Sequence, residues 1–342
     1  MTFNSLILIW FDKSKRNLPW RAQSDPYKIW LSEIILQQTR VAQGTAYYEL
    51  FCEKFPTIFD LANASEQEVL KTWQGLGYYS RARNLHHTAK FIVNERQGEF
   101  PDNYNELLQL KGVGEYTAAA IASIAFQQAQ AAVDGNVFRV FSRYFNIELD
   151  ISLGKTKKYF IDLGNQIIDP KRPGDFNQAV MELGATVCLP RNPMCDICPL
   201  NASCAALVKN NVHERPVKTK KVKVKHRYLN FLDISDGEHY LMAKRGSADV
   251  WQGLFTFPLV ELTMSQNLDE QDFFSELNLT LEHEEIHLLT HQKLHINFWK
   301  STLDFSTLEN LAKEFEATLY SIGEISELPL PKPMEKYFNK II

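Results

Sequence analysis

Four of the five cysteines of this chain lie within 17 residues, in the stretch GATVCLPRNPMCDICPLNASCAAL. Their pattern is C-x6-C-x2-C-x5-C, formed by Cys188, Cys195, Cys198 and Cys204. Five cysteines are too few to cross-link 342 residues, whereas thiolates this close together are typical ligands of one soft metal centre, either zinc or an iron–sulfur cluster. Zinc ribbons usually pair two CxxC units and only one occurs here, so the spacing favours a cubane cluster. The fifth cysteine, Cys52, lies on a predicted amphipathic helix and is interpreted as a core residue.

The length and composition predict two globular domains. Of the 342 residues, 45% are hydrophobic and 23% are charged, which is ordinary for a protein with a sizeable core in each domain. The longest unbroken apolar run, residues 6–11, is far shorter than the roughly 18 to 20 residues of a membrane span. Unlike a signal peptide, it has no basic stretch before it and no small-residue cleavage site after it. We therefore expect a cytoplasmic protein with no membrane partner.

The net charge of −4 conceals a strong asymmetry along the chain. Residues 1–210 carry 22 basic and 21 acidic side chains, residues 211–227 carry seven basic side chains against Glu214 alone, and residues 228–342 carry 8 against 19. This pattern predicts a near-neutral domain over 1–210, a basic linker over 211–227 and an acidic domain over 228–342. Local basic surface decides whether a protein contacts phosphates, so nucleic acid stays a candidate partner. The linker fits a flexible tether as well as it fits a phosphate-binding segment.

Hydrophobic periodicity divides the chain in the same place. Apolar residues at spacings of three and four predict a mainly α first part, whereas alternating segments after about residue 226 predict an α+β second part. Predicted helices in the first part are 31–38, 61–73, 82–95, 116–126, 137–145, 159–168 and 176–188. The second part contains predicted strands at 228–234, 239–245 and 294–303, and an acidic helical stretch near 269–277.

A glycine turn between two predicted helices carries a more specific signal. In LKGVG (residues 110–114), Gly112 and Gly114 bracket one apolar residue, so the turn exposes backbone N–H groups beside a helix N-terminus. Such a turn can bind an anion, and with a helix on either side it resembles a helix-hairpin-helix, which binds a DNA phosphate without reading sequence. A packed helix–helix turn explains the pattern about as often, so its weight comes from the motifs around it.

Two carboxylates stand where burial and hydrogen bonding should alter their pKa values. Glu33 has mostly apolar neighbours three and four residues away, and an acid on such a face loses hydration, so we expect its pKa to rise. Asp134, in AVDGNV, stands at the predicted start of a helix, where backbone N–H donors should hold it ionised as an N-cap. One raised and one lowered pKa suit an acid and an electrostatic stabiliser. The alternatives are a solvent-edge Glu33 and a plain cap at Asp134.

Together these motifs resemble one group of DNA repair enzymes, the helix-hairpin-helix DNA glycosylases with an iron–sulfur cluster, and within it the adenine DNA glycosylase family. The resemblance covers residues about 15 to 205 in order and rests on LPWR (18–21), SEIILQQTRV (32–41), GLGYYSRARNL (75–85), LKGVGEYTAAAI (110–121), VDGNVFRV (133–140) and the cysteine pattern. It implies a mainly α N-terminal helix-hairpin-helix glycosylase fold with an iron–sulfur loop. Two departures are Lys111, where a proline is common in the family, and Glu115, which places a negative charge beside the phosphate site.

The resemblance further implies an activity and a cofactor. The expected reaction is base excision repair, in which the N-glycosidic bond of adenine paired with 8-oxoguanine or guanine in double-stranded DNA is hydrolysed. The expected cofactor is a [4Fe-4S] cluster rather than zinc, held by the four clustered cysteines. We expect a monomeric protein that associates with the nucleoid.

Each matching residue inherits a role from the resemblance. Glu33 is implied as general acid and Asp134 as stabiliser of the sugar cation, with Tyr116 and Asn136 in support. Adenine inside a duplex is stacked and paired, so it must be flipped out before its glycosidic bond can be reached. Residues implied to line the base pocket or fill the vacated stack are Trp20, Arg21, Leu36, Gln38 and Tyr78, and those implied to bind phosphate are Gly112 and Gly114.

Position 116 separates two activities within the superfamily. Relatives that also cut the DNA backbone carry a lysine there, because an amine can form a Schiff base with the sugar carbon and a phenol cannot. Tyr116 therefore predicts a monofunctional hydrolase and disfavours an endonuclease III-like glycosylase and AP lyase acting on oxidised pyrimidines. A second alternative, a DNA-binding protein that uses the cluster for redox sensing, is disfavoured by the presence of both Glu33 and Asp134.

The acidic part contains WQGLFTFP (251–258), which resembles a segment of the Nudix-like C-terminal domain of this family. The absence of a Nudix box disfavours a metal-dependent pyrophosphatase. In the family a Phe-Ser-His loop meets 8-oxoguanine, and the matching residues here are Leu289, Thr290 and His291. The resemblance implies that Thr290 and His291 read the lesion through a hydroxyl and an imidazole, without the aromatic ring. The alternative is a strand end with a solvated histidine.

Overall fold

The computed structural model describes residues 2–219, 224–247, 249–263 and 277–341. The chain forms two compact units, one made of Met1–Asn63 and Asn84–Lys220 and the other of Ala64–Arg83 and Lys221–Ile342. The second unit therefore includes a segment from within the first part of the sequence. None of the helices in the described ranges is long and apolar enough to span a membrane.

The first 210 residues form helices joined by short turns, as predicted. The helices are α1 (Phe3–Ser14), α2 (Pro26–Leu36), α3 (Val41–Lys54), α4 (Ile58–Asn63), α5 (Glu66–Thr72), α6 (Ser80–Arg96), α7 (Tyr104–Leu107), α8 (Glu115–Phe126), α9 (Gly135–Tyr144), α10 (Gly154–Ile167), α11 (Pro173–Thr186) and α12 (Ala205–Val208). One prediction is wrong in detail, because the predicted helix 61–73 is two helices. Ser65 interrupts it: its hydroxyl accepts the N–H of Glu68 at 3.1 Å and caps α5.

Helices α1, α9 and α11 pack around the main core of the first unit. Phe3 and Phe11 of α1, Phe141 of α9 and Phe176 of α11 are all buried there. The ring of Phe3 packs edge-on against Phe141 and Phe176, with centroids 5.8 and 6.0 Å apart. Burial of a side chain of this size contributes roughly 1.5–3 kcal/mol. The core thus fixes the N-terminus of α9 and one face of α11, both of which border the candidate site.

Helix α2 is buried along nearly its whole length. Residues 29–35 of α2 are all buried, and the helix packs against α8 and α3. Its neighbour α8 has the sequence EYTAAAIASIAF, whose small side chains let two helix axes approach closely. Glu33 lies in the middle of this buried stretch and has lost most of its hydration as a result.

The second unit contains a mixed sheet of seven strands with helices, which confirms the α+β prediction. The strands are β1 (Lys225–Ser235), β2 (His239–Lys244), β3 (Phe255–Thr256), β4 (Leu259–Leu262), β5 (Thr280–Leu288), β6 (Gln292–Thr302) and β7 (Thr318–Ser321). The order is β3-β2-β1-β6-β5, with β4 also paired to β1 and β7 to β2. Strands β1 and β6 are parallel and in register from Lys225 opposite Gln292 to Ser235 opposite Thr302, whereas the other pairs are antiparallel.

In the described part of residues 224–341, the helices beside the sheet are α13 (Phe305–Glu314), α14 (Ile322–Glu327) and α15 (Lys332–Ile341). Tyr337 of α15 stacks on Phe298 of β6 with ring centroids 4.2 Å apart, and its hydroxyl donates to the buried carboxylate of Asp233 at 2.8 Å. The last residues of the predicted linker, 225–227, already belong to β1. The predicted acidic helical stretch near 269–277 lies outside the described residues apart from Leu277.

Candidate active site and nucleic-acid interface

A cavity of about 510 Å³ in the first unit gathers most of the predicted catalytic and base-pocket residues. Glu33 reaches it from α2, Tyr116 from α8, and Asn136 from α9, which Asp134 precedes. The same cavity is lined by Trp20, Arg21, Leu36 and Gln38. A larger, more open groove of about 960 Å³ beside Phe59 and Phe100 contains none of these predicted residues.

Glu33 is buried, with 8% of its surface exposed. Burial raises the pKa of Glu33 to about 7, a hydrogen bond with Tyr116 lowers it, and the nearby charge of Asp134 raises it further. The direction agrees with the sequence-based expectation. A carboxyl group with this pKa is partly protonated at neutral pH and can therefore donate a proton to a bound base.

Asp134 caps α9, as predicted. Its Oδ1 accepts the backbone N–H groups of Asn136 and Val137 at 2.9 and 2.8 Å, and its Oδ2 accepts the side-chain amide of Asn136 at 2.7 Å. The prediction that these bonds keep the pKa of Asp134 low is wrong. Burial raises the pKa of Asp134, and this desolvation outweighs the bonds that lower it. The pKa values of both carboxyl groups are thus raised, and burial is the main cause in each case.

Tyr116 and Asn136 contact the two carboxylates directly. The hydroxyl of Tyr116 lies 3.2 Å from Sδ of Met181, and burial raises the pKa of this phenol well above its usual value. Asn136 accepts a 2.8 Å hydrogen bond on its side-chain oxygen from the guanidinium of Arg139. A Cβ on Gly184 would lie 2.5 Å from that of Asn136, so only glycine leaves room for this arrangement.

Glu182 is a site residue that the sequence analysis missed. It lines the same cavity from α11 and is 1% exposed. Its carboxylate accepts two 2.7 Å bonds from Arg16 and one 2.6 Å bond from Arg21. Burial raises the pKa of Glu182, but the bonds from these two arginines lower it to about 2, so it is ionised. An acid inside the apolar pattern of the predicted helix 176–188 was the signal that could have revealed it.

Trp20, Leu36 and Gln38 form another part of the cavity wall. Trp20 is buried in a single helical turn, Pro19–Ala22, and packs edge-on against Tyr48 with ring centroids 5.5 Å apart. Leu36 is the last residue of α2, and Gln38 follows with a left-handed φ of +57°. That backbone angle is unusual for a residue other than glycine and marks a constrained position at the cavity.

The turn around Gly112 is exposed and leads into the N-terminus of α8. Gly112 has a φ of +80°, and a Cβ there would lie 2.7 Å from Cβ of Asn84. Gly114 caps α8 without a side chain, so the first N–H groups of that helix are uncovered. Glu115, which places a negative charge beside this turn, forms a salt bridge with Lys157. The lysine offsets part of the repulsion that Glu115 would exert on a phosphate.

The four clustered cysteines line one small cavity of about 30 Å³ and form no disulfides. Burial raises the pKa values of the thiols of Cys195, Cys198 and Cys204 in the absence of a metal. Arg143 is buried beside them and donates to Sγ of Cys188 at 3.4 Å. In the described ranges no three His, Cys, Asp or Glu side chains converge as ligands of a single ion.

A second cavity, of about 570 Å³, lies in the second unit and collects the remaining predicted residues. It is lined by Tyr78, Thr290 and His291, with Trp251 and His287 beside them. The hydroxyls of Tyr78 and Thr290 are hydrogen-bonded to each other. Tyr78 is 48% exposed and has a left-handed φ of +49°. His287 was not predicted, and burial lowers its pKa.

Comparisons with known proteins agree with both halves of this description. Residues 31–166 match the HhH-GPD superfamily of base excision DNA repair proteins, and residues 230–340 match the NUDIX domain. Among solved structures, a thermostable thymine-DNA glycosylase superposes with a TM-score of 0.56 at 32% identity, covering 60% of this chain and 95% of that one. An endonuclease III–DNA complex shares the fold, with a TM-score of 0.51 at 24% identity, covering 60% of this chain and 94% of its own.

Curated relatives are named adenine DNA glycosylases. The Rattus norvegicus protein is 48% identical over 213 residues, which are 60% of this chain but 41% of the rat protein, so the chain spans less than half the length of such mammalian relatives. The protein of Buchnera aphidicola subsp. Baizongia pistaciae is 33% identical and covers 100% of this chain and 97% of its own length. With a full-length match of this kind, the chain belongs to the adenine DNA glycosylase family.

Proposed function

We propose that the protein is a monofunctional DNA glycosylase that hydrolyses the N-glycosidic bond of adenine opposite 8-oxoguanine or guanine. The observation that carries this proposal is the single cavity in which Glu33, with its pKa raised to about 7, lies near Asp134. Glu33 reaches the cavity from a buried position of α2 and Asp134 from the N-cap of α9, and the fold around them is that of DNA repair glycosylases. The chain is proposed to act as a monomer in the cytoplasm, on the DNA of the nucleoid.

Each carboxylate has a distinct part in the proposed reaction. Protonated Glu33 gives its proton to the flipped adenine, which makes the base a neutral leaving group. As the bond breaks, positive charge develops on the sugar, and the carboxylate of Asp134 stabilises it. The bonds from Asn136 and Val137 hold Asp134 in place, so little reorganisation is needed at that moment. Water then adds to the sugar carbon and loses a proton, which returns to the carboxylate of Glu33.

The cavity supports hydrolysis rather than backbone cleavage. Tyr116 has no amine, and among the described residues that line the cavity there is no lysine. A Schiff base with the sugar carbon requires such an amine. Adenine is proposed to lie against Trp20 and Leu36, with the ion pair between Arg21 and Glu182 available for hydrogen bonds to the base edge.

One assay separates the candidate functions. Duplexes with adenine opposite 8-oxoguanine, guanine or thymine are incubated with the protein, and strand breaks are measured with and without alkali. The proposal requires breaks at adenine that appear only after alkali, and more of them opposite 8-oxoguanine and guanine than opposite thymine. Breaks without alkali would indicate a lyase, and no breaks would indicate a binding protein.

The cysteine loop fits a [4Fe-4S] cluster. Its four half-buried cysteines line one cavity, none of them forms a disulfide, and the guanidinium of Arg143 donates to Cys188. A cubane takes one thiolate for each iron, so its ligands surround a space instead of meeting at one ion. When bound, such a cluster holds its loop together through four Fe–S bonds.

We expect Cys198→Ser to lose iron and stability more than intrinsic chemistry. Cys198 faces the cysteine cavity, and no clustered cysteine lines the cavity of Glu33. Anaerobically purified wild-type protein should contain about four irons with acid-labile sulfide per chain. Iron content, the melting temperature and DNA affinity should all fall in the variant, whereas Cys52→Ser, which removes a cysteine outside the loop, serves as the control. Zinc as the sole stoichiometric metal in the wild type would contradict the assignment.

The second cavity is proposed to read the base opposite adenine. The turn between β5 and β6 carries Thr290 and His291, which are both exposed. A domain with a strongly negative net charge cannot lie flat on phosphates, so its contact with DNA should be made by a small turn that reaches a base. We propose that residues 1–210 carry out catalysis, that residues 211–227 form a basic linker, and that residues 228–342 recognise the lesion.

The double variant Thr290→Ala with His291→Ala should weaken the preference for 8-oxoguanine over guanine. It removes a hydroxyl and an imidazole that can bond to the lesion, and one good polar contact to a base contributes roughly 1–3 kcal/mol of discrimination. Single-turnover excision rates on the two duplexes measure this ratio. The rate opposite guanine should change less. A control that removes the same groups elsewhere in the unit is Thr302→Ala with His239→Ala. An unchanged ratio would show that the lesion is read elsewhere.

A further inference from the structure

The segment Ala64–Arg83 belongs to the compact unit of the C-terminal residues, although it lies inside the sequence range that matches the glycosylase family. It contains α5 and the loop between α5 and α6, which we call the wedge loop (residues 73–79) and which carries Tyr78. Three of its residues have left-handed backbone angles: Gly75 at +97°, Gly77 at +71° and Tyr78 at +49°. A tyrosine in this region of backbone space must be held there by surrounding contacts.

Lys71, near the end of α5, provides a charged contact. Its ammonium donates to the backbone carbonyls of Ser326 and Leu328, the latter at 3.1 Å. These carbonyls lie at the C-terminus of α14, where helix carbonyls lack internal partners and carry partial negative charge. A cation shared between two such acceptors forms stronger hydrogen bonds than a neutral donor would.

Both sides of the wedge loop are bonded to residues 326–330, which comprise the end of α14 and the three residues after it and which we call the strap. The backbone N–H of Leu330 donates to the side chain of Gln74 at 3.0 Å, and the hydroxyl of Tyr79 donates to the carbonyl of Leu330 at 3.3 Å. Gln74 precedes the tip of the loop and Tyr79 follows it. The strap therefore fixes the base of the loop on either side of Tyr78.

A second contact fixes the segment at its far end. Arg83 donates to the carbonyl of Gln252 at 2.6 Å. The next residue, Gly253, has a φ of +81°, and a Cβ there would lie 3.2 Å from the side chain of Leu70. The turn at 252–253 thus packs closely against α5 and leaves the segment little freedom to slide along the unit.

The tip of the wedge loop meets the turn that carries the proposed lesion-reading residues. The hydroxyl of Tyr78 is bonded to that of Thr290, and the guanidinium of Arg81 lies over the rings of Trp73 and Tyr78, 4.9 and 5.7 Å from their centroids. The loop is thus bonded to the strap at its base and, through Tyr78, to Thr290 at its tip.

We infer that Lys71 is a positioning residue that couples recognition of the base opposite adenine to insertion of Tyr78 into the duplex, by fastening the wedge loop to the strap. This inference rests on the proposed function, in which Tyr78 fills the vacated stack and Thr290 meets the lesion. A lesion base bound at Thr290 then determines the position at which the ring of Tyr78 inserts into the duplex. With the fastening weakened, the ring should enter equally well beside 8-oxoguanine and beside guanine.

The test uses the full chain with Lys71→Gln, which removes the charge, keeps a polar hydrogen-bond donor and shortens the side chain by one atom. We expect the ratio of single-turnover excision rates, 8-oxoguanine over guanine, to fall about tenfold, which corresponds to about 1.4 kcal/mol. The rate opposite guanine at saturating enzyme should stay within about twofold of the wild type. Lys71→Arg, which keeps a cation at this position, should restore the ratio, and Lys313→Gln, at the end of another helix of the unit, should not change it.

A double-mutant cycle with Thr290→Val separates coupling from general damage. If Lys71 acts through Thr290, the two changes together should reduce the ratio no more than the larger single change does. Additive losses, equal losses on both duplexes, or an unchanged ratio in Lys71→Gln would overturn the inference. A wild-type protein that does not excise adenine would instead contradict the proposed function, so the two failures are distinguishable.

Discussion

Replacing Glu33 by glutamine should reduce adenine excision by about 10²–10⁴-fold, the usual contribution of a general acid. The amide has nearly the same shape as the carboxyl group, so packing among the buried residues of α2 is retained. The amide cannot deliver a proton to the base, so the free energy of the transition state rises whereas that of the bound substrate does not. Binding to a duplex with an uncleavable adenine analogue should therefore remain close to wild type.

The pH profile of the wild type provides an independent measurement of the same group. Since the pKa of Glu33 is raised to about 7, the protonated acid is lost as the pH rises through 7, and the single-turnover rate should fall there. The fall at low pH should begin above the range of an ordinary aspartate, because the pKa of Asp134 is also raised. The limb above pH 7 should disappear in Glu33→Gln. The control is Glu49→Gln, an exposed position on α3. Excision within tenfold of wild type in Glu33→Gln would eliminate Glu33 as the acid.

Replacing Asp134 by asparagine should reduce excision by about 10²–10³-fold, the range seen when a preorganised electrostatic partner is removed. Asparagine caps helices about as well as aspartate, so its oxygen can still accept the N–H groups of Asn136 and Val137. The melting temperature should change little. The variant lacks the negative charge that stabilises the sugar cation, and also the oxygen that accepts the side-chain amide of Asn136.

A matched control for this variant is Asp304→Asn. Asp304 caps α13 by accepting the N–H of Thr307 at 3.0 Å, so the same charge is removed from the same kind of cap in the other unit. Its excision rate should equal that of the wild type. If Asp134→Asn retained more than a tenth of the wild-type rate while the fold and the binding stayed intact, Asp134 would be a plain helix cap and the proposed mechanism would be wrong.

Local features of the sequence determined much of the fold. Apolar spacing placed α8, α9 and α11 to within about three residues but started α2 five residues late, and the start of α9 followed from Asp134 because a helix cap depends on its nearest neighbours alone. The same short-range logic failed at Ser65, where one hydroxyl divided an otherwise continuous apolar pattern. The cysteine loop could also be predicted from the sequence, since its four cysteines belong to one short segment.

Only the tertiary structure decided how the site is assembled and charged. Glu33 and Asp134 are about 100 residues apart in the chain, and their burial in one cavity raises both pKa values. The capping position of Asp134, read from the sequence alone, had predicted a lowered pKa instead. The ion pairs of Glu182 join α11 to residues near the N-terminus, and Tyr78 meets Thr290 across more than 200 residues of sequence. Solvent exclusion and long-range pairing depend on which elements pack together, and no local pattern encodes that.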